Sequence, residues 1–111
     1  MANRRMFHKD IITTDRFISM SPSSQALYFH LSMCADDEGF IGGVYRVTRS
    51  LNFRKSDLTR LIEEKYIKVF DSGVGYICDW TKHNHIRKDR FNPSIFINEK
   101  LMAGVITFGG D

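Results

Sequence analysis

Two cysteines, two prolines and one tryptophan occur in 111 residues. Cys34 and Cys78 are too few and too far apart for a disulfide framework, so both are expected as reduced, buried thiols in a cytoplasmic protein. No apolar run reaches the about 18 residues that a membrane-spanning helix needs, so no membrane partner is expected. Arg4, Arg5, Lys9 and Arg16 near the start have no apolar stretch behind them, which speaks against a secretory signal. A phosphate-cradling Gly-rich loop followed by Lys and Ser or Thr is missing. So are internal repeats and low-complexity tracts. Without a catalytic constellation, an enzyme is not expected.

Metal ligands are also scarce in the pattern zinc requires. His83 and His85, with Cys78 and Cys34, offer four nominal donors, but zinc sites pair their ligands at close spacing at both ends. Cys34 has no near partner and falls on the apolar side of a helical pattern. No metal or cofactor is therefore expected, and His83, Asn84 and His85 read as polar contacts that pin the segment around them. Asp36, Asp37 and Glu38 have no second acidic cluster to complete a cation site and read as a polar surface turn.

What is present suits one small domain: 42% hydrophobic and 13% aromatic residues, with nine Phe. The charge is uneven. Residues 46–60 hold five Lys and Arg against one Asp, and residues 81–90 hold four against one Asp, whereas residues 21–45 hold three acids and no base. Cations gathered into two windows suit a polyanionic partner better than an evenly solvated surface does.

Residues 1–13 read as an extended arm, because Met6, Phe7, Ile11 and Ile12 lack helical spacing. Such apolar side chains need cover, which suggests a symmetric dimer or higher self-association. Thr14 and Asp15 can cap a short turn that directs Phe17 and Ile18 inward. Ser21-Pro22 is a helix start. Leu27, Leu31 and Cys34, joined by Ala26 and His30, form the inner stripe of a helix ending near Ala35. Phe40-Ile41 is a short strand broken by Gly42 and Gly43. Val44, Val47 and Leu51 mark a second helix that Asn52 can end in the left-handed conformation. A third helix spans about Ser56 to Lys65, with Leu58, Leu61 and Ile62 inward and Asp57, Thr59, Arg60, Glu63 and Glu64 outward. Residues 66–70 and 76–80 alternate around the turn at 71–75, which makes a hairpin closed by Trp80 as a core anchor.

Helix, short strand, helix, turn, helix, hairpin is the order of an α+β winged helix-turn-helix, with three main helices and a C-terminal β-hairpin wing. The arm would cover residues 1–20, the domain 21–93 and a tail 94–111. In this arrangement the third helix enters the major groove by its N-terminal end. Arg54, Lys55, Ser56, Thr59 and Arg60 cover that end and its exposed face, with Arg60 placed for a bidentate contact to guanine. Arg46 and Arg49 share a face of the second helix and suit phosphate. Lys82, Arg87, Lys88 and Arg90 follow the wing strand and can track the backbone. The wing tip itself has no Lys or Arg, and winged helices also serve as protein-only modules.

Several stretches resemble a known family. They are Met6-Phe7 with Lys9-Asp10-Ile11, the run from Gln25 to Leu31, the run from Ala35 to Phe40, Leu58, Leu61-Ile62, Lys65-Tyr66-Ile67, Ser72-Gly73-Val74, Trp80, His83-Asn84 and the run from Ile86 to Arg90. Together they are similar to the N-terminal domain of phage replisome organizers from low-GC Gram-positive hosts, itself similar to that of DnaD-type primosome proteins. The likeness covers roughly residues 4–93. Its most specific pieces are the run from Ala35 to Phe40 and the segment from Trp80 to Arg90. It implies a winged helix that binds double-stranded DNA at a phage replication origin, associates with itself, and helps bring a host helicase loader or helicase there. Asn52-Phe53-Arg54 departs from the family, which more often has Gly and then a capping Ser, and family proteins continue into a linker and a C-terminal domain. A phage transcriptional regulator on the same fold, or a protein-only module docking on host helicase-loading machinery, are the alternatives.

Overall fold

Ser21 and Pro22 open the longest helix as their chemistry suggests. The Ser21 hydroxyl accepts the Ser24 N–H at 3.1 Å, and Pro22 sits at the first helical position, where its missing N–H costs nothing. The structure, a computed structural model, describes residues 4–84 and 94–103. Its elements run α1 (Lys9–Ile12), α2 (Asp15–Ile18), α3 (Pro22–Cys34), β1 (Phe40–Ile41), α4 (Val44–Ser50), α5 (Lys55–Glu63), β2 (Ile67–Val69), β3 (Gly75–Ile77), α6 (Trp80–His83) and α7 (Ile97–Ala103). The class is α+β. The strands form one antiparallel sheet in the order β1-β3-β2, with Phe40 opposite Tyr76 and Ile67 opposite Ile77. None of the described helices is long and apolar enough to cross a membrane.

The core gathers Leu27, Tyr28 and Leu31 of α3, Leu58 and Leu61 of α5, Ile67, Ile77, Phe17, Tyr66 and Trp80. Phe17, Tyr28 and Tyr66 meet edge to face, with centroids 5.4 Å apart from Phe17 to each tyrosine and 5.7 Å apart between the tyrosines. Each such pair contributes on the order of 0.5–1.5 kcal/mol beyond its buried area. Asn52 takes φ 66° after α4, as the turn requires. The Phe53 N–H then closes back on the Thr48 carbonyl at 3.1 Å.

Several inward assignments from the sequence are overturned. The buried face of α3 comprises Ser24, Leu27, Tyr28, Leu31 and Ser32; His30 and Cys34 point outward. The inner stripe is rotated because Tyr28 is captured by Phe17, Tyr66 and His83. Cys78 is also exposed. Ile18 is 57% exposed although its neighbour Phe17 is buried. Residues 9–12 of the arm form a short helix, which the His8 imidazole caps by accepting the Asp10 N–H. Trp80 begins α6 instead of ending a strand. Phe7, Ile11 and Ile12 pack against this chain's own core. These three therefore find cover within their own chain, while Met6 stays 51% exposed.

The acidic turn is buried. Asp36 accepts the N–H groups of Glu38 and Phe40, which shapes the turn into β1. Asp37 meets the Arg5 guanidinium at 3.3 Å, and Arg5 also donates to the Ala35 carbonyl. Glu38 accepts the Ser94 N–H, and Lys100 Nζ lies 2.7 Å from its Oε2. One tripeptide thus holds both the arm and the segment that carries α7. Trp80 seals it, donating Nε1–H to the Asp37 carbonyl at 3.0 Å beneath the Arg5 guanidinium.

His83 performs a similar task for the arm. Its Nδ1 accepts the His8 N–H at 2.6 Å, so the ring is neutral and its proton sits on Nε2, 2.7 Å from the Tyr28 hydroxyl. Asn84 accepts the Met6 N–H at 2.8 Å. Pinning through His83 and Asn84 matches the sequence reading; His85 lies outside the described residues.

Two outcomes follow from this packing. Gly39 holds φ +92°, and a Cβ there would stand 2.6 Å from Trp80 Cγ. Gly39→Ala is expected to lower stability by about 2–5 kcal/mol, from backbone strain and overpacking, read as a fall in the urea midpoint. Burial pushes the His83 pKa below its ordinary value, with the charges of His8 and Lys82 acting the same way and Asp79 opposing. A depressed histidine pKa stabilises fully above the unfolded value near 6.5 and loses that contribution as pH falls toward the folded value. The thermal midpoint should therefore drop between about pH 7 and 5, and His83→Gln should flatten that slope; an unchanged slope would contradict the neutral, arm-holding role.

Candidate nucleic-acid interface

The direction in which α5 faces is set by Asp57. Its Oδ2 accepts the Arg54 N–H at 3.0 Å, one half of a capping box. The same oxygen accepts the Ser23 hydroxyl at 2.8 Å, and Ser24 Oγ donates to the Asp57 carbonyl at 3.1 Å. Asp57 was expected to face solvent and is instead buried, because α3 supplies it with partners. With Asp57, Leu58 and Leu61 committed inward, the spacing of a helix leaves Lys55, Ser56, Thr59 and Arg60 outside.

All of these outer residues are exposed, as are Arg46, Arg49 and Arg54. Among the described residues the ion pairs are Arg5–Asp37, His8–Asp10, Arg60–Glu64, Lys82–Asp79 and Lys100–Glu38. Arg46, Arg49, Arg54 and Lys55 thus stand in none of them. Arg60 reaches Glu64 only at 3.9 Å, with the arginine exposed and the glutamate partly so, a contact worth about 0.3–0.5 kcal/mol. The Thr59 hydroxyl donates to the Lys55 carbonyl at 3.0 Å, which occupies its proton but leaves its lone pairs free.

Not every candidate joins this surface. Arg46 folds back over its own N-cap, with its guanidinium 3.0 Å from where a Gly43 Cβ would stand. Arg49 instead lines a hollow shared with Lys55. Lys82 pairs with Asp79 at 3.7 Å and borders a different hollow, lined by Asp10, Ile11, Thr14, Arg16, Tyr66 and Asp79. Arg87, Lys88 and Arg90 lie outside the described residues. The tip of the β2–β3 hairpin carries Asp71 and Ser72; the Ser72 hydroxyl donates to Glu99 at 2.6 Å, and the Gly73 carbonyl accepts the Val44 N–H at the start of α4.

The sequence reading missed two residues of this face. Tyr45 stands 47% exposed on α4, with Lys55 Nζ 5.9 Å from its ring centroid. Phe53 lies in the turn, against the His30 ring at 5.5 Å. A large aromatic one step off the Val44, Val47, Leu51 stripe was the available signal. No three His, Cys, Asp or Glu side chains gather as metal ligands among the described residues.

Compared with known proteins, the chain matches no family model, no curated protein and no solved structure. Asp57→Ala is expected to lower stability by about 1–2 kcal/mol through loss of the cap, measured as a reduced denaturation midpoint, and to loosen the first turn of α5, read as faster amide exchange there.

Proposed function

We propose that α3 to α5 and the β2–β3 hairpin form a winged helix-turn-helix that binds double-stranded DNA, with the leading end of α5 in the major groove. The observation that carries this reading is the cationic edge of Arg49, Arg54, Lys55 and Arg60, which stands in solvent while Asp57, the acid of that first turn, is buried. A major groove about 12 Å wide admits a helix, and exposed guanidinium groups suit guanine edges and phosphates. The hairpin tip offers no cation, so the contacts come from helices. Following the family resemblance, the target is a phage replication origin, and the role is to initiate replication with a host helicase loader or helicase, aided by self-association. The exposed Ile95, Ile97 and Leu101 beside and along α7 favour a second reading, a protein-only module docking on that machinery.

Binding to a duplex should weaken steeply with salt, because each neutralised phosphate releases counterions. Arg60→Ala should cost about 1–3 kcal/mol and relax sequence preference. Arg49→Ala should weaken all sequences alike and reduce the salt slope by about 1. Anisotropy titrations at two salt concentrations check both. A double variant that binds duplex as the wild type does would remove the DNA assignment and leave the protein-docking module.

A further inference from the structure

The hollow between α4 and α5 has features that duplex binding does not use. It encloses about 290 Å³ and is lined by Tyr45, Thr48 and Arg49 of α4, Phe53 of the turn, and Lys55 and Leu58 of α5. Leu58 and Thr48 are buried at its floor. The Tyr45 ring forms an exposed wall, with the flexible Lys55 amine over its face. None of these lining residues is acidic, and two of them are cations. The Thr48 hydroxyl proton is already committed to the Val44 carbonyl at 2.8 Å, so the floor offers little hydrogen-bond readout.

From this geometry we infer that the hollow binds a single nucleotide unit of single-stranded DNA, the base stacked on Tyr45 and the flanking phosphates held by Arg49 and Lys55. In a duplex the bases are stacked on one another and present only their edges, so an aromatic wall in a concavity has nothing to grip. An unpaired base does offer its face. Stacking tolerates any sequence because every base has such a face, and cations beside the ring then meet the backbone. The volume is at the small end of ligand sites, about 300–1,000 Å³, which fits one base rather than a run of them. Charge complementarity selects the occupant, since a neutral apolar peptide would leave Arg49 and Lys55 unpaired at the rim. The inference extends the proposed duplex-binding surface but does not depend on Arg60 reading a base.

The test is an anisotropy titration at low salt of labelled oligo(dT), a duplex and poly-glutamate against the whole chain and its Tyr45→Ala, Tyr45→Phe and Arg60→Ala variants. Tyr45 is exposed, so both of its substitutions leave the core intact. Tyr45→Ala should weaken oligo(dT) binding between about 5-fold and 150-fold, the loss of one stacked base. Tyr45→Phe should stay within about twofold of wild type, and duplex affinity should not follow Tyr45. Arg60→Ala should affect the duplex alone. Oligo(dT) affinity indifferent to Tyr45→Ala, equal losses for oligo(dT) and duplex, or poly-glutamate binding as tightly as oligo(dT) would each overturn the inference, the last by making the hollow a site for acidic peptides. Loss of duplex binding with Tyr45-dependent oligo(dT) binding intact would sink the duplex proposal and support this one.

Discussion

The Asp57 carboxylate is the interaction on which the outward face depends. It joins the first turn of α5 to the first turn of α3 through Arg54 N–H and Ser23 Oγ, and the Ser24 hydroxyl reinforces the join from the backbone side. A helix can pack on a core in many rotations when its apolar stripe is only Leu58, Leu61 and Ile62. The buried acid selects one of them. Because that acid is turned in, Arg54 and Lys55 beside it stand in no ion pair among the described residues, Arg60 keeps only its long contact to Glu64, and the surface they share owes its charge to an internal bond.

A second constraint closes the fold at the opposite extremes of the chain. Asp37 and Glu38 bind Arg5 and Lys100, partners 32 and 62 residues away. Removing one member of a buried ion pair typically costs about 3–5 kcal/mol, a large share of the about 5–15 kcal/mol that keeps a domain folded. The turn therefore acts as a hub, and the run from Ala35 to Phe40 has a structural reason for its specific residues: Asp36 for the turn, Asp37 and Glu38 for the two ends, Gly39 for the space beneath Trp80, Phe40 for the sheet.

Local chemistry made many element boundaries readable. Ser21-Pro22, Asn52 and the alternation around 71–75 each act within a few residues of themselves, and the structure places helix starts, a left-handed stop and a hairpin there. Rotation about a helix axis was less readable. The helix from Pro22 to Cys34 is apolar on more than one side, so periodicity allowed His30 and Cys34 inside, and the rings of Phe17, Tyr66 and His83, outside that helix, decide for Tyr28. Partners remote in sequence also hid the buried role of the acidic turn and the docking of Phe7. At the candidate interface, the exposure of Arg49, Lys55 and Arg60 was legible because nearby acids and apolar positions define their side, whereas the turn of Arg46 back over Gly43 was not. Lys82 was not, because its surroundings come from α1 and α2. Tyr45 was passed over because a tyrosine beside an apolar stripe looks like ordinary cover.

The position of Trp80 has a practical consequence. It is the only indole in the sequence, 1% exposed, and lies where the arm, the acidic turn and α6 converge, with Arg5 above it and Asp37 beside it. Its intrinsic fluorescence is therefore a built-in optical gauge of whether the N-terminal strap is fastened. Trp80 does not line the α4–α5 hollow, so a molecule held there would not touch the indole, and the emission would follow the arm and the acidic turn instead.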